Sequence, residues 1–130
     1  MDTMVNNKAF IINYLTAISG VSKTRAMAEQ YMTDEVLISQ IEYFDAAFPR
    51  YEVYIDEMIA EGNLVVVQAR FKGTHLGDLA GIAPTHKTVE FPFVIRYEIE
   101  DNKIVNHWLL ADQMVLMEQL GVVPGEQAAR

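Results

Sequence analysis

Apolar positions recur at helical spacing up to Phe48, and from Tyr51 onward they recur every second residue. In the first stretch Val5, Ala9, Ile12 and Leu15 repeat at near-helical intervals. Asp2 or Thr3 can cap this helix, and Gly20 ends it. Ser22 opens a short second helix through SKTRAMAEQYM. Thr33 or Asp34 opens a third, in which Leu37, Ile41, Phe44 and Phe48 form the apolar stripe and Pro49 is the stop. In YEVYIDEMIA, Tyr51, Val53 and Ile55 alternate with Glu52, Tyr54 and Asp56. EGN (61–63) turns the chain into the β-branched run LVVVQARFKGTH (64–75). The loop LGDLAGIAPTHK follows, then strands over 88–100 and 103–112. QMVLMEQLG forms a last helix ending at Gly121, ahead of a loose tail, VVPGEQAAR.

Helices followed by consecutive antiparallel strands predict an α+β fold, with the helices on one face of a curved sheet. The 130 residues suit a single domain spanning 1–130 with one core.

The connection IEDNKI sets which side chains share a face. Asn102 tolerates the left-handed region, which favours a three-residue loop, Glu100 to Asn102, with Ile99 paired to Lys103. Counting back pairs Glu98 with Ile104, Arg96 with Asn106, Val94 with Trp108 and Glu90 with Asp112. One face then carries Val94, Arg96, Glu98, Asn106, Trp108, Leu110 and Asp112. The other carries Phe91, Phe93, Ile95, Tyr97, Ile99, Val105, His107, Leu109 and Ala111. The mixed face is expected to line a pocket beneath the helices, as apolar walls with a few aimed polar groups do. The apolar face is expected to pack on a second copy; the reverse assignment stays open.

Composition narrows the function classes. Net charge is -8, and no cluster of Lys and Arg exists to hold phosphates, so neither nucleic acid nor an anionic membrane is an expected partner. There is no cysteine, which removes disulfides, thiolate catalysis and Cys-ligated zinc and fits a cytoplasmic protein. The N-terminus lacks the basic start and apolar run of a signal peptide, and no stretch has bilayer-spanning length. The histidines show no ligand spacing, so no metal is expected. Phosphate-loop, dinucleotide and nucleophile-elbow motifs are absent.

The candidate chemistry lies in the carboxylates. Asp112 and Glu98 are the candidate catalytic pair. A buried acid has a raised pKa, and Arg96 on the same face would hold Glu98 ionised, leaving Asp112 as the acid/base. Beside this stands a plainer reading, that Asp112 is the N-cap of the last helix; one oxygen for each role would reconcile the two. Arg96 and Glu98 also read as a surface cross-strand pair. Trp108, His75 and Tyr14 are candidate substrate contacts. The plainer readings of the first two are a core indole and a solvated loop histidine; Tyr14, like Tyr31, could reach a cavity from the helices. His86 reads as turn surface.

From AFPRYEVYIDEMIAEGN through FKGTH and APT to EDNKIVNHW, Asp112 and QLG, residues 46 to 121 resemble the SnoaL-like polyketide cyclases of the nuclear-transport-factor-like superfamily. The resemblance implies a cone-shaped α+β barrel, with a curved antiparallel sheet wrapped around the N-terminal helices, often as a homodimer. It also implies cofactor-free intramolecular aldol chemistry, with Asp112 as general acid/base assisted from the position of Glu98. Four departures matter: Asn102 stands in place of a turn glycine, Leu109 where the residue after Trp108 is often acidic, His86 in the third place of the family's PTGK, and Glu98 where Arg or His is common.

The leading expectation is therefore cofactor-free proton transfer on a small hydrophobic carbonyl compound. One alternative is epoxide or ester hydrolysis of the limonene-epoxide hydrolase kind. Another is a non-catalytic dimeric binder of small molecules.

Overall fold

The computed structural model describes residues 3–122. Helix α1 spans Thr3–Ile18, α2 Arg25–Glu29 and α3 Glu35–Ala47. Strands β1 (Glu52–Glu61), β2 (Leu64–Thr74), β3 (Thr88–Glu100) and β4 (Lys103–Ala111) follow, and α4 covers Gln113–Leu120. The strands form one antiparallel meander, ordered β1-β2-β3-β4. The fold is thus α+β, a curved sheet with the N-terminal helices against one face. No described helix is long and apolar enough to cross a membrane.

The first helix buries Asn7, Ile11, Tyr14, Leu15 and Ile18. Ile12 and Ala9, expected on the stripe, are exposed. The true stripe is set by the larger side chains one position away, which reach the sheet. Gly20 ends the helix region at φ +76 and donates its N–H to the Tyr51 carbonyl at 2.9 Å. The second helix is shorter than expected, because its cap is Thr24, which accepts from Met27 N at 3.1 Å, and not Ser22. Asp34 caps α3 through Leu37 N at 3.1 Å. The candidate cap Asp2, the Val5 side chain and the tail 123–130 lie outside the described residues.

Between α2 and α3 the backbone adds to the edge of β4. Met32 bridges Ile104 in parallel; Thr33 N donates to Ile104 O and Ile104 N to Tyr31 O. This covers one end of an otherwise open edge.

The β3–β4 hairpin corrects the expected turn. Glu100 pairs with Lys103 across a two-residue turn, with Asp101 at φ +50 and Asn102 at φ +60. Two successive positive φ values are what a type I′ turn needs, and its twist matches the strands. A bulge then absorbs Val105: Ile99 pairs with Ile104, but Glu98 with Asn106. From there the pairs are Tyr97–His107, Arg96–Trp108, Ile95–Leu109 and Val94–Leu110. Turn and bulge each add one residue, so Arg96 faces Trp108 and not Asn106, and Val94 faces Leu110 and not Trp108. The two-residue sum keeps the expected faces beyond the bulge, while Ile104, expected across from Glu98, lies in the core.

Candidate functional site

Which face lies inward is the reverse of the primary expectation. Across the four strands the inner rows read Ala60–Val65–Tyr97–His107, Met58–Val67–Ile95–Leu109 and Ile55–Ala69–Phe93–Ala111. Val65, Val67, Ala69, Ile95, Tyr97 and Ile99 join Ile11, Tyr14, Leu15, Ile38 and Ile41 in one core under the helices. The outer rows read Ile59–Val66–Arg96–Trp108 and Glu57–Gln68–Val94–Leu110. Covering the largely apolar face removes more hydrocarbon from water and keeps Arg96 and Glu98 half-exposed at the surface, although Arg96 Nε is buried without a partner. That difference decides the orientation.

Arg96, Glu98, Trp108 and Asp112 are therefore not in the cavity. Trp108 is 51% exposed and Arg96 and Glu98 are half-buried on the outer face. Asp112 is exposed, and its side chain accepts from Val115 N at 3.1 Å as the N-cap of α4. His75 is not in the cavity either. It is fully buried at the end of β2, where Thr85 N donates to its Nδ1 at 3.2 Å and Thr85 Oγ1 lies at 3.1 Å. The ring proton is thereby placed on Nε2, which is buried without a partner. This contact ties the two ends of the 75–87 loop together and accounts for the GTH and PT motifs structurally.

The cavity itself, about 80 Å³, lies between α1, α3 and the inner sheet face. Tyr14, Leu15 and Ile18 line it from α1; Leu37, Gln40, Ile41 and Phe44 from α3; Phe91, Phe93, Ile95, Tyr97, Leu109 and Ala111 from the sheet. Tyr51 closes the far end, with Phe71 stacked on it at 4.5 Å and Phe91 on Phe71 at 4.8 Å. No charged side chain lines the cavity among the described residues. Its polar atoms are the tyrosine hydroxyls and the amide of Gln40, whose Oε1 is buried without a hydrogen-bond partner. Burial pushes the pKa of Tyr14, Tyr51 and Tyr97 well up, so these hydroxyls stay protonated and can donate.

Two buried polar groups adjoin the cavity that sequence reasoning missed. Lys23 lies against Tyr51, its Nζ 3.8 Å from the ring centroid, donating to Val21 O and Tyr51 O and pairing with Asp45 at 3.6 Å. Burial lowers its pKa, and Asp45 opposes that shift. The second group is His107, whose Nδ1 lies 2.6 Å from Asp34 Oδ2; both side chains are over nine-tenths buried. The sequence carried half of the signal: His107 shares a face of β4 with Leu109 and Ala111, and Asp34 reads as a helix cap, but nothing in the spacing joins the two. Among the described residues no group of three or more His, Asp or Glu is placed to hold a metal.

The model of the SnoaL-like polyketide cyclase family matches residues 17–120. AclR from Streptomyces galilaeus, assigned as a hydroxylase, superposes with a TM-score of 0.80 at 22% identity, covering 97% of this chain and 91% of its own. A protein from Jannaschia sp. CCS1, assigned as a SnoaL-like polyketide cyclase, gives 0.81 at 22%, covering 95% and 97%. TsrD from Streptomyces laurentii gives 0.75 at 18%, covering 89% and 95%. No curated protein matches. At these identities the solved structures establish a shared fold. The chain belongs to the SnoaL-like polyketide cyclase family.

Proposed function

We propose that the protein binds a small, neutral, mostly apolar molecule in the cavity between α1, α3 and the inner sheet face. The observation that carries this is the lining: aromatic and aliphatic walls, three protonated tyrosines and one amide, with no charge. An anion entering would give up hydration with no counter-charge in return, whereas a neutral ring would give up little. The cavity is smaller than the ~150 Å³ that holds benzene in an engineered case, so lining side chains must yield as the ligand enters. Phe44 and Gln40, on the half-buried side of α3, are placed to do so. Aldol chemistry through Asp112 in this cavity loses its support, since that carboxylate lies outside the cavity in contact with water, one oxygen capping α4.

Calorimetric titration with toluene and with benzoate tests the reading. Toluene is expected to bind and benzoate not; tighter binding of benzoate would contradict a charge-free site.

The outer face supports a second element of the proposal, a homodimer formed sheet to sheet. Ile59, Trp108 and Leu110, all more than half exposed, share that face with Val66 and Val94. Large exposed apolar side chains grouped on one face, interrupted by Arg96 and Gln68, suit an interaction site.

A further inference from the structure

We propose that His107, oriented by Asp34, is a general base for the cavity ligand. This rests on the binding reading above and adds chemistry to it. The row Ala60–Val65–Tyr97–His107 places the imidazole on the inner face, directly across from Tyr97 and two residues from Leu109, both cavity walls. Asp34 lies one helical turn before Leu37, another wall residue. Neither side chain is itself a cavity wall; the pair stands beside the walls Tyr97, Leu109 and Leu37, at the N-terminal start of α3.

Asp34 is held from two sides. Its Oδ1 accepts from Leu37 N at 3.1 Å and its Oδ2 faces His107 Nδ1 at 2.6 Å. A carboxylate accepts only, so the imidazole proton sits on Nδ1 and the lone pair on Nε2. An acid that fixes the tautomer and orientation of a histidine is the base-and-orienter arrangement of acid/base sites. Outright burial of an unneeded histidine would be served as well by the inner-face leucines and isoleucines around it.

The step is a proton transfer. Nε2 takes a proton from a carbon next to a carbonyl or nitro group. The C–H electron pair moves into that group, giving an enolate or nitronate, and the imidazolium returns the proton to carbon or oxygen. No electrons are gained or lost overall. His107 is the catalytic residue here and Asp34 a positioning residue.

Nitroethane in D2O is a suitable probe, small enough for the cavity and carrying an acidic C–H. Exchange of that hydrogen, followed by proton NMR, is expected to be about 100-fold faster with the wild type than with His107→Gln. Asp34→Asn keeps a good helix cap, but its amide would donate to Nδ1 and move the ring proton to Nε2. It is expected to lose the same acceleration, and nitrogen-15 spectra of His107 should report the opposite tautomer. If nitroethane shifts the methyl signals of Leu37, Ile95 and Leu109 yet His107→Gln exchanges as fast as wild type, the base assignment is overturned and the binding site stands. An unchanged tautomer and rate in Asp34→Asn overturn the positioning role. If nitroethane leaves those methyls unmoved, the binding reading fails, and the base assignment with it.

Discussion

Leu109 stands directly across from Ile95 on the inner side of the sheet, and both side chains line the cavity. The position after Trp108 thus looks into the ligand space, and here it is aliphatic. Asp112, three residues further on, looks out. Leu109→Asp should therefore lower stability by about 3 kcal/mol and abolish toluene binding, since it buries a carboxylate against Ile95. Asp112→Ala should cost about 1 kcal/mol of cap energy and leave binding unchanged. Urea unfolding and calorimetry on both variants check this pair of outcomes.

Leu110 and Trp108 point the other way, so charge there should act on association alone. Leu110→Lys or Trp108→Lys is expected to shift the protein to monomer in sedimentation equilibrium, with toluene affinity preserved. A wild type that sediments as a monomer would remove the dimer proposal.

Three of the six tyrosines, Tyr14, Tyr51 and Tyr97, have pKa values raised by burial. A group with a raised folded pKa adds stability that is fully present below its unfolded value, near 10, and is lost as pH rises towards the folded one. Above pH 10 the unfolded chain releases these protons and the folded chain keeps them. Stability should then fall by about 4 kcal/mol per pH unit for the three together. Urea midpoints between pH 8 and 11 should be flat at first and drop steeply above 10. Absorbance at 295 nm should show these tyrosinates appearing only with unfolding.

Gly77 lies where the 75–87 loop meets the end of α3. A Cβ there would come within 2.1 Å of the Ala46 carbonyl oxygen, and Leu76 N and Gly77 N both donate to Ala47 O. Gly77→Ala is expected to cost about 2–3 kcal/mol by forcing the loop off α3. A thermal midpoint within a degree of wild type would count against this packing.

Much of this architecture was legible in the chain. Period-two alternation from Tyr51 onward gave four strands whose ends fall within a residue or so of those observed, and Pro49, Gly20 and Gly121 mark real ends. Face membership in β3 and β4 was also legible, although the turn was not. The Asp101–Asn102 turn and the Val105 bulge each move the register one residue from the simple count, and the two-residue sum restores the parity of the faces while changing every partner. Alternation cannot say which face is inside when both carry large apolar side chains. The deciding quantity was the hydration of Arg96 and Glu98 against that of Phe91, Ile95 and Ile99. Nor can spacing within one strand reveal that His107 meets Asp34, because that contact joins residues far apart in the chain through the packing of α3 on β4.

The most direct test of the central claim, that the charge-free inner face holds the ligand, is a toluene titration followed on isotope-labelled Ile, Leu and Val methyls. Saturable shifts at Ile18, Leu37, Ile41, Ile95 and Leu109, with Ile59 and Leu110 unmoved, are the predicted result. Shifts confined to Ile59, Val66 and Leu110 would place the ligand on the outer face and contradict the account.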